Sequence, residues 1–316
     1  MECLPENEIL EFQPDTLLEV RKMFNMEKPQ EMNEAIDILE TWVQQQNHFV
    51  KKDFSRDYLE RMIITAKGSV ERAKGRLDKL CTFRTLMPYF FENYDVRRDF
   101  KDIHDAGILY SPLPKMTKDY ERIFFIKNPG KSFTTPQLLN GFKICALMSE
   151  YLKAHDYAAS YRFVADLREI NITEFMTKVG IMDFRNLMTL LTEGYGMRLS
   201  GIHLMTEYKF IETFVALLRS VMSEKIGGRI RVHRTVESVY EFAPKEVLPK
   251  EYGEGGEDRT LDEIHEKWMQ VLSTKEFTEY LRGMNAANTD ESLRQTDKFN
   301  DQYMGMPGTF RTLRVD

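Results

Sequence analysis

The chain has 316 residues, 42% of them hydrophobic and 30% charged, with a formal net charge of −6. That is enough apolar mass for a packed core, and the sign of the charge argues against nucleic acid as the partner. Its three cysteines, Cys3, Cys81 and Cys145, are odd in number and widely spaced. They suit neither a disulfide framework nor a zinc site, and they point to a reducing, cytoplasmic compartment.

The opening Met-Glu-Cys-Leu-Pro-Glu-Asn-Glu has no basic region followed by an apolar one, so it does not read as a signal peptide. Residues 1–105 read as a helical N-terminal domain. Met32, Ile36, Leu39 and Val43 recur at helical spacing, and so do Val70, Ala73, Leu77, Leu80 and Cys81 after a Gly68-Ser69 start. From 106 to 260 the texture changes. Ser111-Pro112-Leu113-Pro114 reads as a connector. Strand-like blocks at 122–126, 161–167, 197–205 and 230–233 then alternate with helical blocks at 138–152, 172–191 and 210–222. Such alternation predicts an α/β fold with a mostly parallel sheet and crossover helices. Residues 261–316 read as a closing helix, 261–272, and an extended polar tail. No apolar run reaches membrane-spanning length, so membrane contact is expected to be peripheral and transient.

Few motifs carry catalytic chemistry. Gly130-Lys131-Ser132 has Phe125 where a phosphate loop needs its first glycine, so a turn with a solvated lysine is the better reading. The six histidines show no metal-ligand spacing, and neither a nucleophile elbow nor a catalytic-cysteine signature is present. Asp166 ends a strand, where it could serve catalysis or cap the following loop. More informative is 208–222, where Phe210, Phe214, Leu217, Leu218 and Val221 form a stripe broadened by Ile211, Val215 and Met222. A helix packed on a sheet has this pattern, and so does one that covers an oily cavity. After it, residues 224–234 hold four Lys or Arg against one acid. Arg229, Arg231 and His233 alternate with Ile230 and Val232, as in a charge-blunted edge strand or a contact for anionic lipid.

These residues resemble a known family. Gly201-Ile202-His203-Leu204, Phe210, Glu224-Lys225-Ile226, Arg229-Ile230 and His233 look like the CRAL-TRIO lipid-binding domain. Leu248-Pro249-Lys250-Glu251-Tyr252-Gly253-Glu254-Gly255-Gly256 resembles its closing signature, Trp268 stands where a tryptophan often follows, and Asp166-Leu167 matches its second-strand motif. The flavour is that of the alpha-tocopherol transfer protein and cellular retinaldehyde-binding protein branch, with Gly305-Met306-Pro307-Gly308-Thr309-Phe310-Arg311 similar to tails of that branch. The resemblance spans roughly residues 50–316.

It implies a CRAL-TRIO domain with a deep apolar pocket closed by a mobile gate, here 208–222. The implied function is that of a non-enzymatic carrier without metal or cofactor, binding one retinoid, tocopherol, carotenoid or similar isoprenoid and exchanging it at membranes. Pocket residues carried over by position are Phe142, Cys145 and Ser149 on one helix face, and Tyr161, Phe163 and Ala165 on one strand face. Ile202, Ile211, Phe214 and Leu218 come from the third strand and the gate. The implied patch for an anionic membrane or phosphoinositide headgroup is Arg198, Lys225 and Arg229, with Arg231 sharing their strand face. The chain departs from the family at Ser200 and Gly227, which replace basic residues, and at Ile64, which replaces an arginine and leaves Lys67 as the basic group of that segment. Phosphatidylinositol exchange, a hydrolase, and a lipid-sensing regulatory module using the acidic stretch 251–266 are the competing readings.

Overall fold

A computed structural model describes residues 4–294, apart from Lys131, Phe133 and Glu254. Cys3 and the tail motif 305–311 lie outside the described residues.

The N-terminal region is built from α1 (Thr16–Lys22), α2 (Pro29–Gln45), α3 (Arg56–Thr65) and α4 (Val70–Leu86), followed by the short α5 (Val96–Asp99) and α6 (Lys101–Asp105). In α2 the proline sits in the first turn, where its missing N–H costs nothing, and Met32, Ile36, Leu39 and Val43 are buried. The α4 start falls where the sequence placed it, with the Ser69 hydroxyl accepting a hydrogen bond from the Arg72 N–H.

A single sheet follows, in the order β1 (Leu109–Met116), β2 (Glu121–Lys127), β3 (Ser160–Asp166), β4 (Leu199–Met205) and β5 (Ile230–His233). β1 pairs antiparallel with β2, and the other pairings are parallel. Crossovers run through α7 (Thr135–His155), then α8 (Ile172–Lys178) and α9 (Ile181–Thr189), then α10 (Ile211–Ser220) and α11 (Glu224–Gly227). The expected connector at Ser111–Pro114 is instead the middle of β1. Two prolines argue against a strand, but β1 is paired on one side only, so the missing donors break no second ladder. The carbonyls of the two prolines are used all the same: Trp268 Nε1 donates to Pro112 O at 2.7 Å, and the Glu11 N–H donates to Pro114 O at 2.9 Å.

α12 (Leu261–Leu272) closes against β1, started by a reciprocal cap between Thr260 and Glu263. α13 (Lys275–Asn285) follows, which the sequence reading left unassigned, although Phe277, Leu281 and Met284 bury one face. The carboxylate of Glu150 on α7 ties the layers together. It accepts from Arg84 of α4 at 2.7 Å, Tyr195 at 2.9 Å, Tyr280 of α13 at 3.0 Å and Tyr58 of α3 at 3.5 Å. A buried carboxylate needs such saturation, and it fixes the helix whose other face looks onto the sheet.

Candidate ligand-binding site

Parallel strands carry their apolar residues in register. Tyr110, Ile126, Ala165 and Leu204 stand side by side across β1 to β4, and Phe124, Phe163 and Ile202 form a second row. Helices α7, α8, α9 and α10 cover these rows without filling the space between. The result is a cavity of ≈ 1050 Å³ of non-atom space, its share of solvent at the mouth included. Its walls are almost wholly apolar. Phe175 of α8 packs edge-on to Phe214 of α10 with centroids 5.2 Å apart, and Phe142 of α7 lies 5.8 Å from Phe184 of α9.

Seven of the ten residues named from the sequence line this cavity: Phe142, Cys145, Phe163, Ala165, Ile202, Phe214 and Leu218. Ser149 and Tyr161 do not. Both lie near the opposite ends of the strands, in a small void beside Arg61 and Lys153, and the Ser149 hydroxyl donates to the Cys145 carbonyl at 2.7 Å. The cavity occupies only the carboxyl half of the sheet. Ile211 is fully buried without reaching the lining. On α10 the buried face is Ile211, Phe214, Val215 and Leu218, whereas Phe210 stands 70% exposed before its first turn. The walls from α8 and α9, with Phe175, Val179, Leu187 and Met188, were missed. Their apolar spacing was legible, but nothing in it distinguishes a cavity wall from solid core.

The opposite face of the sheet carries a polar relay. Glu121 binds Arg162 at 2.6 Å, Arg162 Nη1 reaches His203 Nε2 at 3.0 Å, His203 Nδ1 meets His233 Nε2 at 2.8 Å, and His233 Nδ1 meets the Ser238 hydroxyl at 3.1 Å. Burial, reinforced by the Arg162 charge, pushes His203 down to about 3, so it is neutral near pH 7. Asp166 is structural: it accepts from Arg168 Nη2 at 2.7 Å and from the hydroxyl of Tyr252 at 2.7 Å, which docks the closing signature onto the strand end. A Cβ on Gly256 would stand 2.2 Å from the Lys245 carbonyl, so the signature passes that backbone only with glycine. Part of the acidic stretch 251–266 is engaged within the chain: Glu251 accepts from the Leu261 N–H, buried Glu257 pairs with Arg259, and Glu266 pairs with Arg97 at the surface. Burial raises the thiols of Cys81 (to about 12) and Cys145, leaving neither as a nucleophile. Lys131 lies outside the described residues, while the Ser132 hydroxyl donates to Glu174 at 2.5 Å.

Of the expected patch, three members come together. Arg198 and Arg229 are near enough that Arg229 lowers Arg198, after burial. Lys67, after α3, is held below the usual lysine value by Arg198 first and Lys225 second, with Arg72 and Arg76 contributing. Glu121 partly offsets the repulsion that Arg198 feels from Arg229. Arg72 and Arg76 were not foreseen, because their contribution depends on how α4 sits against the sheet domain. Arg231 shares strand parity with Arg229, yet its guanidinium stacks 5.0 Å from the Phe242 ring, beside the histidine relay. Arg229 also donates to the Leu199 carbonyl, and Arg198 lies 5.0 Å from the ring of Phe24. Among the described residues no helix is long and apolar enough to cross a membrane, and no cluster could hold a metal ion.

Residues 110–255 match the CRAL/TRIO domain, and residues 28–100 match the Pinta-like UBA domain. The chain is 22% identical over 253 residues to an alpha-tocopherol transfer protein-like protein of Mus musculus, covering 79% of this chain and 72% of that one. The Homo sapiens counterpart is 25% identical over 114 residues, covering 36% of this chain and 32% of the human protein. Among solved structures, the crystal structure of Sfh5 superposes with a TM-score of 0.44 at 9% identity, covering 87% of this chain and 98% of that one.

Proposed function

We propose that the chain, whose residues 110–255 match the CRAL/TRIO domain, is a carrier that holds one uncharged hydrophobic lipid in the cavity beneath α10 and exchanges it at anionic membranes. The observation that carries the reading is the cavity itself, ≈ 1050 Å³ with no charged side chain among its lining residues. A phospholipid would bury a phosphate there without a partner, at a cost of several kcal/mol. An isoprenoid of retinoid or tocopherol size meets no such penalty, which favours it over phosphatidylinositol.

The physics is a balance. A lipid on the order of 25 carbons, at about 0.8 kcal/mol per buried CH₂, carries roughly 20 kcal/mol of transfer free energy out of water. A bilayer offers nearly the same refuge, so the protein's task is kinetic: to spare the lipid a passage through water. Displacement of α10, which supplies Phe214 and Leu218 to the cavity wall, would open that path. The cluster of Lys67, Arg72, Arg76, Arg198, Lys225 and Arg229 would hold the protein at an acidic surface, including one bearing phosphoinositides. The saturated Asp166 and the buried thiols support a binding protein over a hydrolase.

Native mass spectrometry of the protein purified from a eukaryotic host tests this reading. A mass increment of one apolar lipid per chain is expected. A protein that stays lipid-free after incubation with retinoid, tocopherol and carotenoid vesicles would refute the carrier function.

A further inference from the structure

We infer that Tyr110 reads the polar end of the cargo: its hydroxyl hydrogen-bonds a single hydroxyl or carbonyl oxygen on an otherwise apolar lipid, which therefore lies polar end beneath β1 and apolar end against α10. This rests on the carrier reading above and adds to it the chemical class and the orientation of the ligand.

Tyr110 lines the cavity and is only 8% exposed. A buried phenol ordinarily finds a partner for its O–H. Among the described residues the Tyr110 hydroxyl has none, and its proton is held tightly, first by burial and then by the neighbouring Cys145. The backbone beside it is pinned, since His265 Nδ1 lies 3.2 Å from the Tyr110 carbonyl and Trp268 donates to Pro112. The side chain is therefore a fixed donor that faces an apolar chamber.

A second observation points the same way. Gly141 sits within the 21-residue α7, where glycine is a poor choice for a helix. A Cβ at that position would stand 2.2 Å from the Tyr110 hydroxyl. Any other residue would push the hydroxyl out of its place, so the glycine is what lets the phenol seat against α7.

Register gives the orientation. Tyr110 is the β1 end of the row that continues through Ile126, Ala165 and Leu204. Three strand spacings separate its ends, about 14 Å, and α10 is the crossover that follows β4. Of the remaining polar groups of the wall, Asn128 Oδ1 accepts from the Gly130 N–H at 3.1 Å while its amide N–H₂ is a further donor towards the same side of the sheet, and Cys145 is a neutral thiol. Donors gathered at this end of the row suit one acceptor oxygen on the ligand, entering first.

The test uses the delipidated full chain and two probes, the C20 isoprenoid alcohol geranylgeraniol and the matching hydrocarbon without the oxygen, with dissociation constants from displacement of a cavity-bound fluorescent polyene. Wild type should bind the alcohol roughly tenfold more tightly, the worth of one buried hydrogen bond. Tyr110→Phe should bring the alcohol down to the hydrocarbon's affinity and leave the hydrocarbon within about twofold. Gly141→Ala, which keeps the hydroxyl but displaces it, should also lose the preference. An unchanged alcohol preference in both variants overturns the assignment. So does a wild type that binds both probes equally, although that result leaves the carrier reading standing. A wild type that retains neither probe overturns both.

Discussion

His203 shows how much a single side chain can fix. Arg162 can only donate, so His203 Nε2 must accept; His203 Nδ1–H then donates to His233 Nε2, and His233 Nδ1–H donates to the Ser238 hydroxyl, which in turn donates to the Thr235 carbonyl. A proton on either ring would turn an acceptor into a donor and break the chain. Unfolded histidine takes up its proton near pH 6.5, whereas buried His203 holds out to about 3. The unfolded state therefore binds more protons between these values. The stability that the relay contributes is full above pH 6.5 and is lost as the pH falls towards 3, by about 2 kcal/mol between pH 6.5 and 5. Thermal melts from pH 7.5 to 5 should show a slope of this sign, to which His155, His265 and His233 add because burial lowers them too, and His203→Gln should reduce it by the His203 share without flattening it. Phe214 answers to the cavity instead. At 4% exposure and edge-on to Phe175, it has no partner for a carboxylate. Phe214→Asp should abolish retention of a fluorescent retinoid or tocopherol analogue, with circular dichroism still reporting the native fold.

At the scale of the element, α10 divides its labour along its length. Phe214 and Leu218 face the cavity, while Phe210 before its first turn is 70% exposed and Tyr208 is 42% exposed. Large aromatics standing in water next to the cavity's cover suit burial at the headgroup boundary of a bilayer. Phe210→Glu should slow transfer of a fluorescent lipid between vesicles severalfold and leave retention in solution unaltered. A parallel loss of retention would show that Phe210 holds α10 closed instead. The closing signature is a contrasting element, held in place by its contacts: Tyr252 is bonded to Asp166, and Gly256 is packed against the Lys245 backbone.

Over the whole molecule, a chain of net charge −6 gathers six cations at one place. Lys67, Arg72 and Arg76 come from the N-terminal helices, and Arg198, Lys225 and Arg229 from the sheet domain, so the patch exists only when the two regions are docked. Lys67 and Lys225 are both exposed and serve no internal bond among the described residues, whereas Arg229 braces Leu199. Replacing both lysines by Gln should weaken binding to acidic vesicles by roughly thirtyfold at low salt, fading as the Debye length shortens. Ligand affinity in solution should stay as it is. Co-sedimentation at two salt concentrations measures the first effect, and equal binding by wild type and variant would remove this cluster as the docking surface.

The sequence by itself determined the order of elements, since periodicity in residues 122–272 reflects local geometry: β2 to β5, α7, α10 and α12 fall where alternation and helical spacing put them. It also supplied the faces, because parity along a strand and spacing along a helix decide which residues point together; Phe163 with Ala165 and Phe142 with Cys145 line one chamber for that reason. It misread β1, because two prolines are tolerable only on an edge, and being an edge is a property of the sheet. Tertiary structure alone decided the rest. Where apolar rows are covered without being filled depends on how α8 and α9 stand off the strands, so Ser149 and Tyr161 fell outside a cavity that their faces suggested. Likewise Arg72 and Arg76 joined the basic cluster, and Arg231 left it, because charges act through space, and no spacing along the chain records which helix will be docked beside which strand.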